Sequence, residues 1–149
     1  NREQVIEINS KILEKRSDVI FGADLITGFP TESDEMFENT RKLLTEANLT
    51  LTHIFPYSRR PGTSAALMPQ VLKTVSAARA KILRDKSSQI LNEKLNEFVG
   101  KEVRILAESQ NTAKTDSFLP VKSLSELEVG QEYWINCLRI ENNTIVGEV

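Results

Sequence analysis

Two short stretches carry residue types from which a binding site is built. Residues 22–33 read Gly-Ala-Asp-Leu-Ile-Thr-Gly-Phe-Pro-Thr-Glu-Ser, an apolar run that breaks at Gly28 and Pro30. Such a turn at the end of an apolar run suggests a backbone drawn close to a ligand, although the same pair also serves a plain chain reversal. Residues 56–63 read Pro-Tyr-Ser-Arg-Arg-Pro-Gly-Thr. Here the Tyr57 ring can stack on a base, and Arg59 and Arg60 can hold phosphate or carboxylate through paired guanidinium donors. The alternative is a solvated basic loop; the cations Lys73 and Arg79 that follow favour binding. Cys137 and His53 each stand alone, so this chain offers no disulfide framework, no Cys/His zinc site and no cluster held by several thiolates.

Both stretches sit where strands end. Residues 1–15 place Val5, Ile8, Ile12 and Leu13 at helical spacing without Gly or Pro, which predicts a helix already under way at its start, with no cap of its own. Residues 18–27 form a nearly continuous apolar run of the kind found in strands buried on both faces, interrupted by Asp24, which then needs hydrogen-bond partners. Ser33 can cap a second helix, with Asp34 and Glu35 in its first turn and Met36, Phe37, Thr40, Leu43, Leu44 and Ala47 as its packing face. A strand over 49–57 follows, with Leu49, Leu51, His53 and Phe55 on one side and Thr50, Thr52 and Ile54 on the other. Helix, strand, helix, strand with short links is α/β, and in such folds ligands sit at the carboxyl ends of strands.

A long helix is expected over 72–98, with Val75, Ala78, Ile82, Leu83, Ile90, Leu91, Leu95 and Phe98 as its apolar stripe. From Gly100 the pattern changes to short alternating segments: strands over 101–109, 118–121, 133–140 and 144–149, a polar loop over 110–117, and a turn at 129–131. This predicts a small β-barrel or sandwich, in which Tyr133 and Trp134 read as core rather than as a stacking surface.

The net charge of -2 conceals a charge pattern. Residues 1–46 and 89–149 each hold ten acidic against six basic residues, whereas residues 47–88 hold seven cations against Asp85 alone. That asymmetry attracts phosphates. The 149 residues contain no apolar run of bilayer-spanning length and no secretory leader pattern, so a cytoplasmic setting without a membrane partner is expected, and the Asn48 and Asn142 glycosylation triplets read as chance. A chain opening on Asn1 suggests a piece of something longer.

Taken together, the 22–33 stretch, then His53-Ile-Phe-Pro-Tyr-Ser-Arg-Arg-Pro-Gly-Thr-Ser-Ala-Ala66, a basic helix and a small β module resemble the C-terminal part of the radical S-adenosylmethionine methylthiotransferases, most strongly over residues 2–79. The resemblance implies C-terminal βα units of a partial TIM-like barrel over residues 1–98 and a TRAM-like, tRNA-gripping all-β domain over 99–149. It implies S-adenosylmethionine as cofactor, with Ile26, Gly28, Phe55 and Tyr57 near its adenosyl group, and 4Fe-4S clusters in the full-length parent. The 53–63 motif looks most like the branch acting on threonylcarbamoyladenosine beside the tRNA anticodon; related branches act on isopentenyladenosine or on a ribosomal protein. Arg59, Arg60, Lys73 and Arg79 are the expected RNA-binding residues. Thr31 stands where the family usually has Gly, the terminal module ends early, and the Cys-x-x-x-Cys-x-x-Cys cluster motif is absent. No catalytic or metal-ligating residue is therefore assigned within this chain, the missing N-terminal part of the same protein becomes a partner, and the fragment alone is expected to be inactive. A free-standing RNA-binding module and a ribosomal-protein enzyme are the alternatives.

Overall fold

The first two apolar runs pair side by side. Strands β1 (Phe21–Thr27) and β2 (Leu49–Pro56) are parallel, joined by helix α2 (Asp34–Glu46), with Thr27 opposite Pro56 at the carboxyl ends. The computed structural model describes residues 1–149 and divides them into two units, Asn1–Ile90 and Leu91–Val149. The division falls inside helix α3 (Lys73–Asn96), ahead of the change in sequence style at Gly100.

In the first unit, the core gathers Phe37, Leu44, Ala47, Leu49, Ile54, Ala80 and Leu83, with Ile6, Phe21, Ala23 and Leu25 packed against it. Leu44 and Leu83 are fully buried, each worth about 2 to 3 kcal/mol of transfer free energy. β1 is not buried on both faces as its apolar run suggests. Phe21, Ala23 and Leu25 turn inward, whereas Gly22, Asp24 and Ile26 are exposed. Asp24 therefore lies in solvent beside His53 and needs no buried partner. Ile26 pairs in register with Phe55 on this open face, and they are 55% and 52% exposed.

Helix α1 (Arg2–Lys15) does have a cap. The Asn1 side chain accepts from the Gln4 backbone N–H while the Gln4 side chain returns to the Asn1 backbone, a capping box. Its buried residue is Asn9, whose side-chain amide donates to the Ala47 carbonyl at 2.7 Å. Val5, Ile8 and Ile12 are exposed; the helix instead turns Ile6, Asn9 and Leu13 inward, about one residue on from the expected stripe. On α2, Met36 is likewise exposed while Phe37 and Leu44 are buried.

Helix α3 departs from its expected stripe in the same way. Its buried residues up to the unit boundary are Ser76, Arg79, Ala80, Leu83 and Ser87, and Val75, Ala78 and Ile82 are exposed. The spacing is helical, but the buried row is half polar. Each polar member has a partner: Ser76 bonds to the Thr27 carbonyl at 2.9 Å, and Ser87 Oγ lies 2.6 Å from Thr52 Oγ1.

The second unit is a closed barrel in the order β3-β4-β5-β7-β6, comprising β3 (Glu102–Ala107), β4 (Thr112–Thr115), β5 (Pro120–Ser123), β6 (Glu132–Glu141) and β7 (Thr144–Glu148). Closure leaves no free strand edge. The stretch expected as a polar loop contains β4, which alternates exposed Thr112 and Lys114 with buried Ala113 and Thr115. Its buried side chains are too small or too polar to register as an apolar run. Trp134 is not core: on β6 it points away from Ile135 and Cys137 and is 61% exposed. Phe118 is 72% exposed. Tyr133 is half-buried and its hydroxyl accepts from the Glu128 N–H at 2.9 Å.

Candidate functional site

The parallel pairing of β1 and β2 brings both distinctive loops to one rim. Beyond the last strand pair, the Tyr57 N–H donates to the Thr27 carbonyl at 2.8 Å and keeps the two loops side by side. The first loop reverses through a hydrogen bond from the Glu32 N–H to the Phe29 carbonyl at 2.9 Å, with Pro30 and Thr31 between them. Thr31 has φ +72°, the left-handed position that a type II turn assigns to Gly. The β-branched residue is strained there, which is the physical reason that Gly suits this position better than Thr.

The conformation of this loop is held by charge. Glu32 folds back so that Oε2 accepts from the Gly28 N–H at 2.8 Å and from Arg79 Nη1 at 2.6 Å, and Arg79 Nη2 reaches Asp34 Oδ1 at 2.6 Å. The Arg79 and Glu32 side chains are only 8% and 10% exposed. Burial works against the Arg79 charge, but the hydrogen bonds to Asp34 and Glu32 outweigh it and its pKa is raised. Phe37 lies with its ring centroid 5.3 Å from the guanidinium. Arg79 is therefore a correction to the expected RNA-facing set: it is buried and committed to two carboxylates of its own chain.

Gly28 also has a structural explanation. At φ +69° it packs so closely on α3 that a Cβ would collide with the Cβ and Oγ of Ser76. Helix packing, rather than a ligand's approach, demands the glycine. The Thr27 hydroxyl donates to the Ser76 carbonyl at 3.2 Å, closing a reciprocal pair with the Ser76 hydroxyl.

Between these loops and the start of α3 lies a cleft of about 700 Å³, the size of a small-molecule site. Gly28, Tyr57, Arg59 and Lys73 line it, so two of the residues expected near a cofactor and two of those expected to bind RNA meet in one place. Gln70 and Ser76, which sequence reasoning did not single out, line it too. The Tyr57 hydroxyl is buried without a hydrogen-bond partner, and its ring meets Phe29 edge-on at 5.4 Å between centroids. Ile26 and Phe55 belong instead to the open sheet face, where His53 stacks on Phe55 at 6.5 Å.

The cationic window does not form one surface. Arg60 is exposed and its carbonyl accepts from Thr63 at 2.8 Å. Lys81 pairs with Asp85 at 2.6 Å, Arg84 donates to the Ile54 carbonyl at 2.9 Å, and Lys86 lines a separate hollow with Arg41 and Lys42. Arg59 and Lys73 have no acidic partner.

No family model matches the chain. Among curated proteins, it is 49% identical over 141 residues to the threonylcarbamoyladenosine tRNA methylthiotransferase MtaB of Rickettsia prowazekii, covering 95% of this chain and 34% of that protein. The MtaB of Aquifex aeolicus is 35% identical over 87% of this chain and 32% of its own length. A tRNA-2-methylthio-N(6)-dimethylallyladenosine synthase of Geobacillus kaustophilus is 36% identical over 99% of this chain and 30% of its own length. The chain thus spans about a third of the length of the curated relatives it matches. Similarity at this level, along nearly the whole chain, makes it a member of the tRNA methylthiotransferase family.

Proposed function

We propose that this chain works within a longer radical S-adenosylmethionine tRNA methylthiotransferase in the cytoplasm, acting on threonylcarbamoyladenosine next to the anticodon. The observation that carries the reading is the 49% identity to a threonylcarbamoyladenosine enzyme along 95% of the chain. The relatives named above are tRNA-modifying enzymes, which favours this reading over a free-standing RNA-binding module or a ribosomal-protein enzyme.

In this reading residues 1–98 complete the carboxyl-terminal side of a partial barrel, and residues 99–149 form a TRAM-like RNA-binding domain. A two-stranded parallel sheet is marginal alone, and β1–β2 carries an uncovered apolar face at Ile26 and Phe55. Both features suit a sheet continued by the N-terminal part of the same protein. S-adenosylmethionine, when bound, would supply the radical chemistry for methylthio insertion. The one cysteine, Cys137, is buried in the barrel, so the residues present do not fit a cluster and its ligands come from outside this chain. They do fit an adenosyl group: Ile26 and Phe55 offer an apolar wall, and Gly28 and Tyr57 stand at the carboxyl ends of the same strands. Arg60, exposed beside this rim, draws tRNA phosphates to it. Exposed Trp134 and Phe118 give the barrel stacking surfaces for unpaired bases.

The test is reconstitution of the full-length enzyme and mass spectrometry of nucleosides digested from tRNA. Threonylcarbamoyladenosine is expected to disappear in favour of its 2-methylthio derivative. Conversion of a ribosomal protein instead, or of neither substrate, refutes the reading.

A further inference from the structure

We propose that Arg59 and Lys73 form a carboxylate pocket that selects the threonylcarbamoyl substituent of the substrate base. The inference rests on the reading above and deepens it by naming specificity residues. Its basis is the chemistry of the cleft. None of the residues that line it is Asp or Glu, and two are cations without an acidic partner, so the charged side chains on its lining are both positive. Pro56, Val71 and the Tyr57 ring supply apolar wall. A concave site with apolar sides and two cations suits a small anion joined to a flat organic body, rather than the outside of a nucleic-acid backbone.

The two kinds of base named among the relatives differ in that respect. A threonylcarbamoyl group ends in a carboxylate, with a hydroxyl beside it; a dimethylallyl group is hydrocarbon. Arg59 matches a carboxylate through its planar fork, and Lys73 adds a point charge. A dimethylallyl group placed there would forgo the charge-assisted bonds that both cations offer a carboxylate, so the carboxylate-bearing base is preferred.

The same cations could instead meet a tRNA phosphate or the carboxylate of S-adenosylmethionine, and the experiment separates these. The full-length enzyme is assayed on anticodon stem-loops carrying threonylcarbamoyladenosine, or its analogue with the threonine carboxylate replaced by a carboxamide. Wild type is expected to prefer the carboxylate by about 10- to 100-fold in kcat/KM, the range of a hydrogen-bonded charge. Arg59→Gln and Lys73→Gln are each expected to shrink that preference while activity on the carboxamide is retained; both side chains are exposed, so folding is spared. An equal loss on both stem-loops with a shallower salt dependence assigns the cations to phosphate and overturns the inference. A rise confined to the KM for S-adenosylmethionine assigns them to the cofactor and overturns it too. If wild type does not modify the threonylcarbamoyl stem-loop at all, the functional reading itself has failed, and the inference with it.

Discussion

Replacing Arg79 by Met tests whether this arginine builds the site or touches its ligand. Met keeps most of the side-chain length and its apolar stem, but it removes both ion pairs, the bond to the Glu32 carbonyl and the cation over the Phe37 ring. The two pairs are unequal. Asp34 is fully exposed, so its arm contributes at most about 1 kcal/mol. Glu32 is 10% exposed, and without Arg79 its carboxylate keeps only the Gly28 N–H. Removing one partner of a buried pair costs about 3 to 5 kcal/mol, chiefly because the other charge is left uncompensated. A total of about 3 to 6 kcal/mol, at an m-value of about 1.5 kcal/mol/M for a unit of this size, lowers the urea midpoint by roughly 2 to 4 M. Unfolding is followed by far-ultraviolet circular dichroism, which reports the helices. Adding Glu32→Gln to the Met variant removes the stranded charge and is expected to restore about half the loss, whereas independent effects would add. Binding of tRNA by the folded variant is expected to be unchanged. A stability loss below about 1 kcal/mol, together with weakened tRNA binding, would show that Arg79 faces the nucleic acid and that its buried pairing has been misjudged.

The other predictions concern neighbouring features and the barrel. Thr31→Gly relieves a β-branched side chain at φ +72° and is expected to raise stability by about 1 kcal/mol, read as a higher urea midpoint; a lower midpoint would mean the turn is unstrained. Gly28→Ala is expected to cost more than about 2 kcal/mol, from positive φ and from overlap with Ser76, and Ser76→Gly in the same chain should return part of that loss; no rescue would point to some other neighbour. Burial raises the Cys137 pKa, so the folded thiol keeps its proton where the unfolded one, near pH 8.5, has lost it. The native state then binds more protons, and stability falls as pH rises through that value towards the folded one; Cys137→Ala is expected to flatten this decline in urea titrations at several pH values. Trp134→Ala is expected to weaken tRNA binding by about 1 to 3 kcal/mol in a filter or anisotropy assay while the barrel's melting temperature stays put, because the ring is exposed; the reverse pattern would return Trp134 to the core.

The parts of this molecule that announce themselves in sequence do so through hydrophobic contrast. The β1 run, the Ser33 cap, the apolar residues of β2 and the Gly-Pro turn each differ sharply from their flanks, and together they suffice to put both loops at one rim. The β2 face, however, is not the one its alternation predicts: a register shift at its start puts Leu49 and Ile54 in the core and leaves His53 and Phe55 exposed. What hydrophobic contrast cannot report is a buried polar residue. Asn9, Ser76, Arg79 and Ser87 read as solvent-facing by polarity while the exposed Ile8, Val75 and Ile82 read as core, which turns the expected face of each helix by about one residue from the buried one. The same blindness hid β4, whose inward residues are Ala113 and Thr115, and it cast Trp134 as core because no pattern distinguishes a large ring on the wet side of a barrel from one on the dry side. A weak signal existed in α3, where Ser76, Ala80 and Ser87 are small residues at helical spacing, as close packing on a strand requires. The hidden residues are also the ones with directional bonds. Asn9 holds the Ala47 carbonyl, Ser76 the Thr27 carbonyl, and Arg79 the Glu32 carbonyl and carboxylate. A leucine at position 76 or 79 would attract α3 to the sheet without determining where residues 27–34 stand, since dispersion has no direction. The polar row determines it, and the cleft at Tyr57, Arg59 and Lys73 takes its shape from that loop. In this chain, therefore, the residues least legible as core are those on which the geometry of the site depends.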